Sequence, residues 1–328
     1  SSSSFFFSKK DAYFDDYWDE NLPKIEKNSE IVSESLELIV KASNNGLSDA
    51  QYLVGLLLLN NNSSSYVTSK LNRHTVNVPS NLTASGVVVI GSDTLANDCI
   101  KMAADSGSVR AQLAYALIID DGHGIPKNLR EASRYYKMAA DNGSYAAMIN
   151  IGFMLFDGRG INRNRKEALS YMKLAADANY LVASFKYGTM LYNGQGTNKD
   201  VKESVKYFEK VIKNEARLTS PGTRQASEIS SLQMMQESAR CIRNAAEQGV
   251  STAMRVYAIM LLKEICFQSN VPESLRWFKK AAKQNDPIAL NFVANRIFKT
   301  GEGDRLMAVK MLKSAADEGY NIAQFNYA

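Results

Sequence analysis

The stretch Gly143-Ser-Tyr-Ala-Ala-Met-Ile-Asn-Ile-Gly-Phe-Met-Leu-Phe156, then Asp157-Gly-Arg-Gly160, then Lys166-Glu-Ala-Leu-Ser-Tyr-Met-Lys-Leu-Ala-Ala-Asp-Ala178 decides the fold. Apolar residues recur at three- and four-residue intervals through both long segments, which is helical spacing. Ala147 and Gly152 in the first segment, with Ala168, Ala175 and Ala176 in the second, are small enough to let two backbones approach closely. Phe153, Leu155, Tyr171 and Leu174 are large enough to fill the space between pairs. Gly143 and Gly158 stand where a helix stops and the chain reverses, positions that favour positive φ. The stretch reads as one helix–turn–helix unit.

The unit recurs with a period of about 36 residues. Small-residue turns fall at Gly46, Gly107, Gly143, Asn179, Gly249, Asn285 and Gly319. Four residues after each stands an alanine: Ala50, Ala111, Ala147, Ala183, Ala253, Ala289 and Ala323. Nine residues after each is again Gly or Ala: Gly55, Ala116, Gly152, Gly188, Ala258, Ala294 and Ala328. Repetition at this period marks a solenoid, whose units bury their apolar faces only against their neighbours. The expected fold is all-α: an α/α solenoid, a right-handed superhelix of about eight antiparallel helix pairs.

Neighbouring units carry the same turn and second helix. Asp121-Gly-His-Gly124 precedes Glu131-Ala-Ser-Arg-Tyr-Tyr-Lys-Met-Ala-Ala140, and Asn193-Gly-Gln-Gly196 precedes Lys202-Glu-Ser-Val-Lys-Tyr-Phe-Glu-Lys210. The pattern returns at Glu273-Ser-Leu-Arg-Trp-Phe-Lys-Lys-Ala-Ala282 and at Ala308-Val-Lys-Met-Leu-Lys-Ser-Ala-Ala-Asp-Glu-Gly319. These motifs resemble the Sel-one-like repeat, a relative of the tetratricopeptide repeat with a Gly-x-Gly turn inside the unit. The resemblance covers roughly residues 40–328. It implies a helical repeat protein of the kind that serves mostly as an adaptor with varied partners.

The expected organisation is an N-terminal aromatic and acidic arm with a capping helix over 1–40, then the solenoid over 41–328. Two stretches depart from the period. An insertion rich in Asn, Ser, Thr and Val at 60–92 is expected to loop out between the two helices of the first unit. Around 214–238, Pro221 and Gly222 stand where a first helix is due, which reads as a degenerate unit. Ala328 is the ninth residue of a further unit, so the array is expected to continue beyond it.

The 39 Lys and Arg against 34 Asp and Glu leave a mild excess of +5. Such a balance suits an acidic partner surface. It does not supply the clustered basic stripe that nucleic acid wants. Cys99, Cys241 and Cys266 are too scattered for a disulfide framework, which favours the cytoplasm. Asn-x-Ser/Thr sequons at Asn61, Asn62, Asn81 and Asn142 point the other way, to an ER lumen. No apolar run is long enough for membrane insertion.

The Gly-x-Gly turns lack the Lys-Ser/Thr of a phosphate loop, and their recurrence at one phase makes them structural. His74 and His123 lie apart with no cysteine cluster beside them, so no metal is expected, nor any cofactor or catalytic residue. The expected function is a non-catalytic protein–protein interaction scaffold that takes partners on the concave surface lined by the first helices. The alternatives are a structural block in a large cytoskeletal or organelle assembly, or an ER-luminal quality-control adaptor. Candidate partner-binding residues on the first helices are Gln112, Tyr115, Tyr145, Asn150, Lys186, Tyr187, Arg255 and Asn291, all read as exposed, with Asn295 beside them. In the arm, Phe14, Tyr17 and Trp18 alternate with acids and read either as a cap over the first unit or as an anchor for a partner.

Overall fold

The computed structural model describes residues 45–59, 92–214 and 227–327, with isolated positions between 38 and 43. The insertion over 60–91, Pro221, Gly222, Phe14, Tyr17 and Trp18 lie outside the described residues. Fourteen helices and no strand occur among the described residues. The chain divides into two compact units, Ser1–Ala178 and Asn179–Ala328.

The first unit contains α1 (Ser48–Leu59), α2 (Ser92–Asp105), α3 (Val109–Asp121), α4 (Leu129–Asp141), α5 (Tyr145–Asp157) and α6 (Arg165–Asp177). The second contains α7 (Leu181–Asn193), α8 (Val201–Lys213), α9 (Ser227–Glu247), α10 (Ser251–Lys263), α11 (Val271–Ala282), α12 (Pro287–Thr300), α13 (Arg305–Asp317) and α14 (Asn321–Tyr327). Within each unit every helix packs on the next, which is the nearest-neighbour architecture of an α/α solenoid. First helices are α1, α3, α5, α7, α10, α12 and α14. The others follow as second helices, with the 21-residue α9 in the second-helix place before α10.

Local chemistry fixes where each second helix starts. Asn128, Asn164, Asp200 and Asn270 cap α4, α6, α8 and α11, their side-chain oxygens accepting from the N–H of Glu131, Glu167, Glu203 and Glu273 at 3.1, 3.2, 2.8 and 3.0 Å. Each of the three asparagines also donates its amide to the carboxylate of that glutamate. A cap of this kind is worth about 1 kcal/mol. The same four residues tie the turn back to the preceding helix, their N–H groups donating to the carbonyls of Ile119, Leu155, Leu191 and Leu261.

First helices end on a residue in the left-handed region. At Gly158-Arg-Gly160 both glycines have positive φ, and a Cβ on Gly160 would strike the Leu129 carbonyl. The chain makes the same turn at Glu264-Ile-Cys266 without glycine, with φ of 60° and 58°. L-residues reach that region at a cost of about 1 kcal/mol each. Position in the repeat, more than residue type, sets the turn.

The two helix types bury differently. In α3 every residue from Ala111 to Asp120 is buried. In α4 burial is confined to a stripe of Ala132, Ser133, Tyr135, Tyr136, Ala139 and Ala140. Small residues set how closely the pair approaches: a Cβ on Gly152 would lie 2.8 Å from the Met172 Cε, and one on Gly188 would lie 3.0 Å from the Phe208 Cε1. In the pairs α3–α4, α5–α6, α10–α11 and α12–α13 the first helix buries more of its length than the second, whereas α7 and α8 bury equal numbers of residues.

Candidate functional site

That division corrects the expected exposure of the first-helix candidates. Gln112, Tyr115, Tyr187, Arg255 and Asn291 are buried. A first helix has helices packed along more than one side, so positions that a single-stripe reading assigns to solvent are already occupied. Tyr115 meets Tyr135 edge-on at 4.9 Å, and Tyr187 meets Tyr207 edge-on at 4.6 Å. The Gln112 amide donates to the Ala104 carbonyl at 3.3 Å and its oxygen accepts from Asn142 at 3.4 Å. Asn291 Oδ1 accepts from Asn295 and Asn326.

Of the remaining candidates, Tyr145 and Asn295 are exposed, and Asn150 and Lys186 are half-buried. The Asn150 amide donates back to the Ala146 carbonyl at 3.0 Å. Within the first unit Gln112 and Tyr115, and within the second Tyr187, Arg255 and Asn291, are therefore closed to a partner.

What the buried polar residues do instead is fix neighbouring repeats to one another. In the first unit the Asp120 carboxylate, 1% exposed, accepts from the Tyr136 hydroxyl at 3.2 Å and pairs with Arg159 at 3.4 Å. Burial holds the Tyr136 hydroxyl far above its ordinary range, with the charge of Asp121 adding to it. A ladder joins successive second helices: Tyr135 donates to Asp105 and Tyr171 to Asp141, both at 2.6 Å, while Lys137 reaches Glu167 at 2.6 Å and the Tyr171 hydroxyl at 3.0 Å.

The second unit has its own buried ion cluster. Arg255 Nε donates to Asp286 at 3.2 Å and its Nη1 to Glu209 at 3.4 Å, with Lys213 on the same Glu209 oxygen at 3.0 Å. Burial raises the Glu209 carboxyl, but Arg255 and Lys213 outweigh it and hold the group below its ordinary range. Asp286 also caps α12 through the Ala289 N–H at 2.9 Å. One arginine thus joins a first helix, a second helix and the cap of the next first helix.

Burial, reinforced by Asp98 and Glu237 respectively, pushes the Cys99 and Cys241 thiols up to about 12, so neither supplies thiolate near neutrality. Among the described residues no group of three metal-ligating side chains converges, and no helix is long and apolar enough to cross a membrane.

The second helices also turn charged side chains to solvent. On α11, Arg276, Lys279, Lys280 and the C-capping Lys283 are exposed at i, i+3, i+4 and i+7, one face of the helix. Beside them lies a surface depression of about 310 Å³ lined by Asn270, Pro272, Glu273, Arg276, Trp277 and Lys280. Trp277 is its aromatic wall, packed edge-on against Tyr257 at 5.7 Å and covered by the Lys280 ammonium at 4.0 Å. The sequence displays these cations, but as an ordinary solvated helix face; only the fold sets them beside a depression with an indole in it.

The Sel1 repeat family model matches residues 109–144, 146–180, 181–213, 251–286 and 287–320, together more than half of the chain. Among curated proteins none matches. Among solved structures the chain is similar to a protective antigen present in uropathogenic Escherichia coli strains, which displays an SLR fold. The identity is 19% over 92% of this chain, with a TM-score of 0.46, and the chain spans 60% of the length of that structure. It is also similar to a Sel1 repeat protein from Oxalobacter formigenes, at 20% identity over 81% of this chain and 96% of that one, with a TM-score of 0.37. Sel1 repeat proteins are generally helical scaffolds for protein interaction. The five matched repeats coincide with the helix pairs described above, and the chain belongs to the Sel1 repeat family.

Proposed function

We propose that this protein is a non-catalytic scaffold that holds other proteins on the solvent-facing surface of its repeats. The observation that carries the reading is the division between helix types. Tyr115, Tyr187 and Arg255 are spent on packing within the chain, whereas the second helix α11 turns a charged face to solvent. A pre-ordered helix pair loses little conformational entropy on binding, so a broad, shallow contact suffices for useful affinity. Exposed Tyr145 adds an aromatic contact of the kind favoured at interfaces.

Affinity purification of the tagged full-length protein from its own cells, followed by mass spectrometry at two salt concentrations, tests this reading. A small, reproducible set of partners retained at the higher salt is the expected result. Recovery of the protein alone at both concentrations contradicts it.

A further inference from the structure

Among the described residues the basic side chains of α11 are poorly neutralised. Residues 179–328 hold 21 Lys and Arg against 14 Asp and Glu, a net +7, while residues 1–178 hold 18 against 20, a net −2. Within the second unit most cations of α8 and α9 have partners: Lys206 with Glu203, Lys213 with Glu209, Arg240 with Glu237 and Arg243 with Glu247. The four on α11 form no ion pair among the described residues. Like charges at i, i+4 destabilise a helix by a few tenths of a kcal/mol per pair. The negative C-terminus of α11 offsets part of that.

The one acid in the depression does not neutralise them either. Both oxygens of Glu273 are engaged, one by the Asn270 amide at 3.0 Å and the other by the Trp277 indole N–H at 3.4 Å. Lys280 lies over the Trp277 ring, so a carboxylate arriving from solvent meets an ammonium and an apolar surface together.

From this charge complementarity we infer that the Arg276–Lys279–Lys280–Lys283 face of α11 and the Trp277 depression dock an acidic peptide segment of a partner protein, carboxylates on the stripe and one apolar side chain against the indole. The inference rests on the scaffold reading and names the partner chemistry of one face.

The test uses the full-length chain and a fluorescein-labelled octapeptide, Glu-Asp-Glu-Phe-Glu-Asp-Glu-Leu, followed by fluorescence anisotropy. Saturable binding that weakens with salt is expected, with about tenfold or greater loss in the Lys279→Glu/Lys280→Glu variant. Those side chains are exposed, so circular dichroism should show an unchanged fold. The control Lys166→Glu/Lys173→Glu, which reverses two exposed cations on α6, should bind as wild type. Equal losses in the two variants would reduce the effect to general charge and overturn the inference. So would undiminished binding of the Gln/Asn version of the peptide, or an oligothymidylate of equal charge binding α11 more tightly than the peptide. Absence of peptide binding alongside stable partners in the purification would discard this face and leave the scaffold standing.

Discussion

Helices α3 and α11 are nearly equal in length and come from the same kind of repeat, yet they meet solvent in opposite ways. From Ala111 to Asp120, α3 is buried throughout, including Gln112 and Asp120. In α11 only Ser274, Phe278, Ala281 and Ala282 are buried, and its opposite face carries four cations. The polar residues Gln112 and Asp120 of α3 are therefore links between repeats, whereas the four cations of α11 are surface groups.

The sharpest way to break that comparison is to remove one polar group from each class. Arg255→Ala leaves the buried Asp286 without its cation and Glu209 with Lys213 alone, so chemical denaturation should show a loss of about 3 kcal/mol. Arg276→Ala on α11 should stay within about 0.5 kcal/mol of wild type. The Arg255 cluster also has a pH signature. Because the Glu209 carboxyl sits below its ordinary range in the folded chain, its contribution is complete above that range and fades as pH falls through the folded value. The stability gap between wild type and Glu209→Gln should accordingly narrow on acidification; a gap that widened would contradict the ion-pair assignment.

Tyr136→Phe tests the corresponding cluster in the first unit. It removes the hydroxyl that donates to the buried Asp120 carboxylate, at an expected cost of about 1–3 kcal/mol read by the same denaturation. Smaller and opposite in sign is Glu264→Gly. Releasing the positive φ at this turn should raise the stability by about 1 kcal/mol, visible as a higher denaturation midpoint.

The period, the small-residue spacing and the all-α architecture were legible in the sequence, because glycine at a reversal and alanine at a close helix contact are steric requirements. Burial around a first helix was harder to read. A single-stripe reading of Ala111-Gln-Leu-Ala-Tyr-Ala-Leu-Ile-Ile-Asp120 gives Gln112 and Tyr115 to solvent, although a helix so uniformly apolar belongs in a core. Arg255 gave no local warning, since its partners Asp286 and Glu209 lie 31 and 46 residues away. The turn at Glu264-Ile-Cys266 carries no glycine and so escaped the Gly-x-Gly pattern. Its signal was the cap: Glu264 precedes Asn270 by the spacing that separates Gly158 from Asn164 and Gly122 from Asn128. Sequence alone also offered no means of setting Trp277 beside the cations of α11, because helix phase and the packing of Tyr257 decide that together.

The central claim, that the first helices α3 and α5 lie in the core while the second helices turn a face to solvent, is tested most directly by hydroxyl-radical footprinting of leucines in the full-length chain. Comparing one residue type removes differences in intrinsic reactivity. Leu113 on α3 and Leu155 on α5, 5% and 1% exposed, should oxidise far more slowly than Leu174 on the second helix α6, which is 53% exposed. Equal oxidation of all three would contradict the account and return the first helices to an open binding groove.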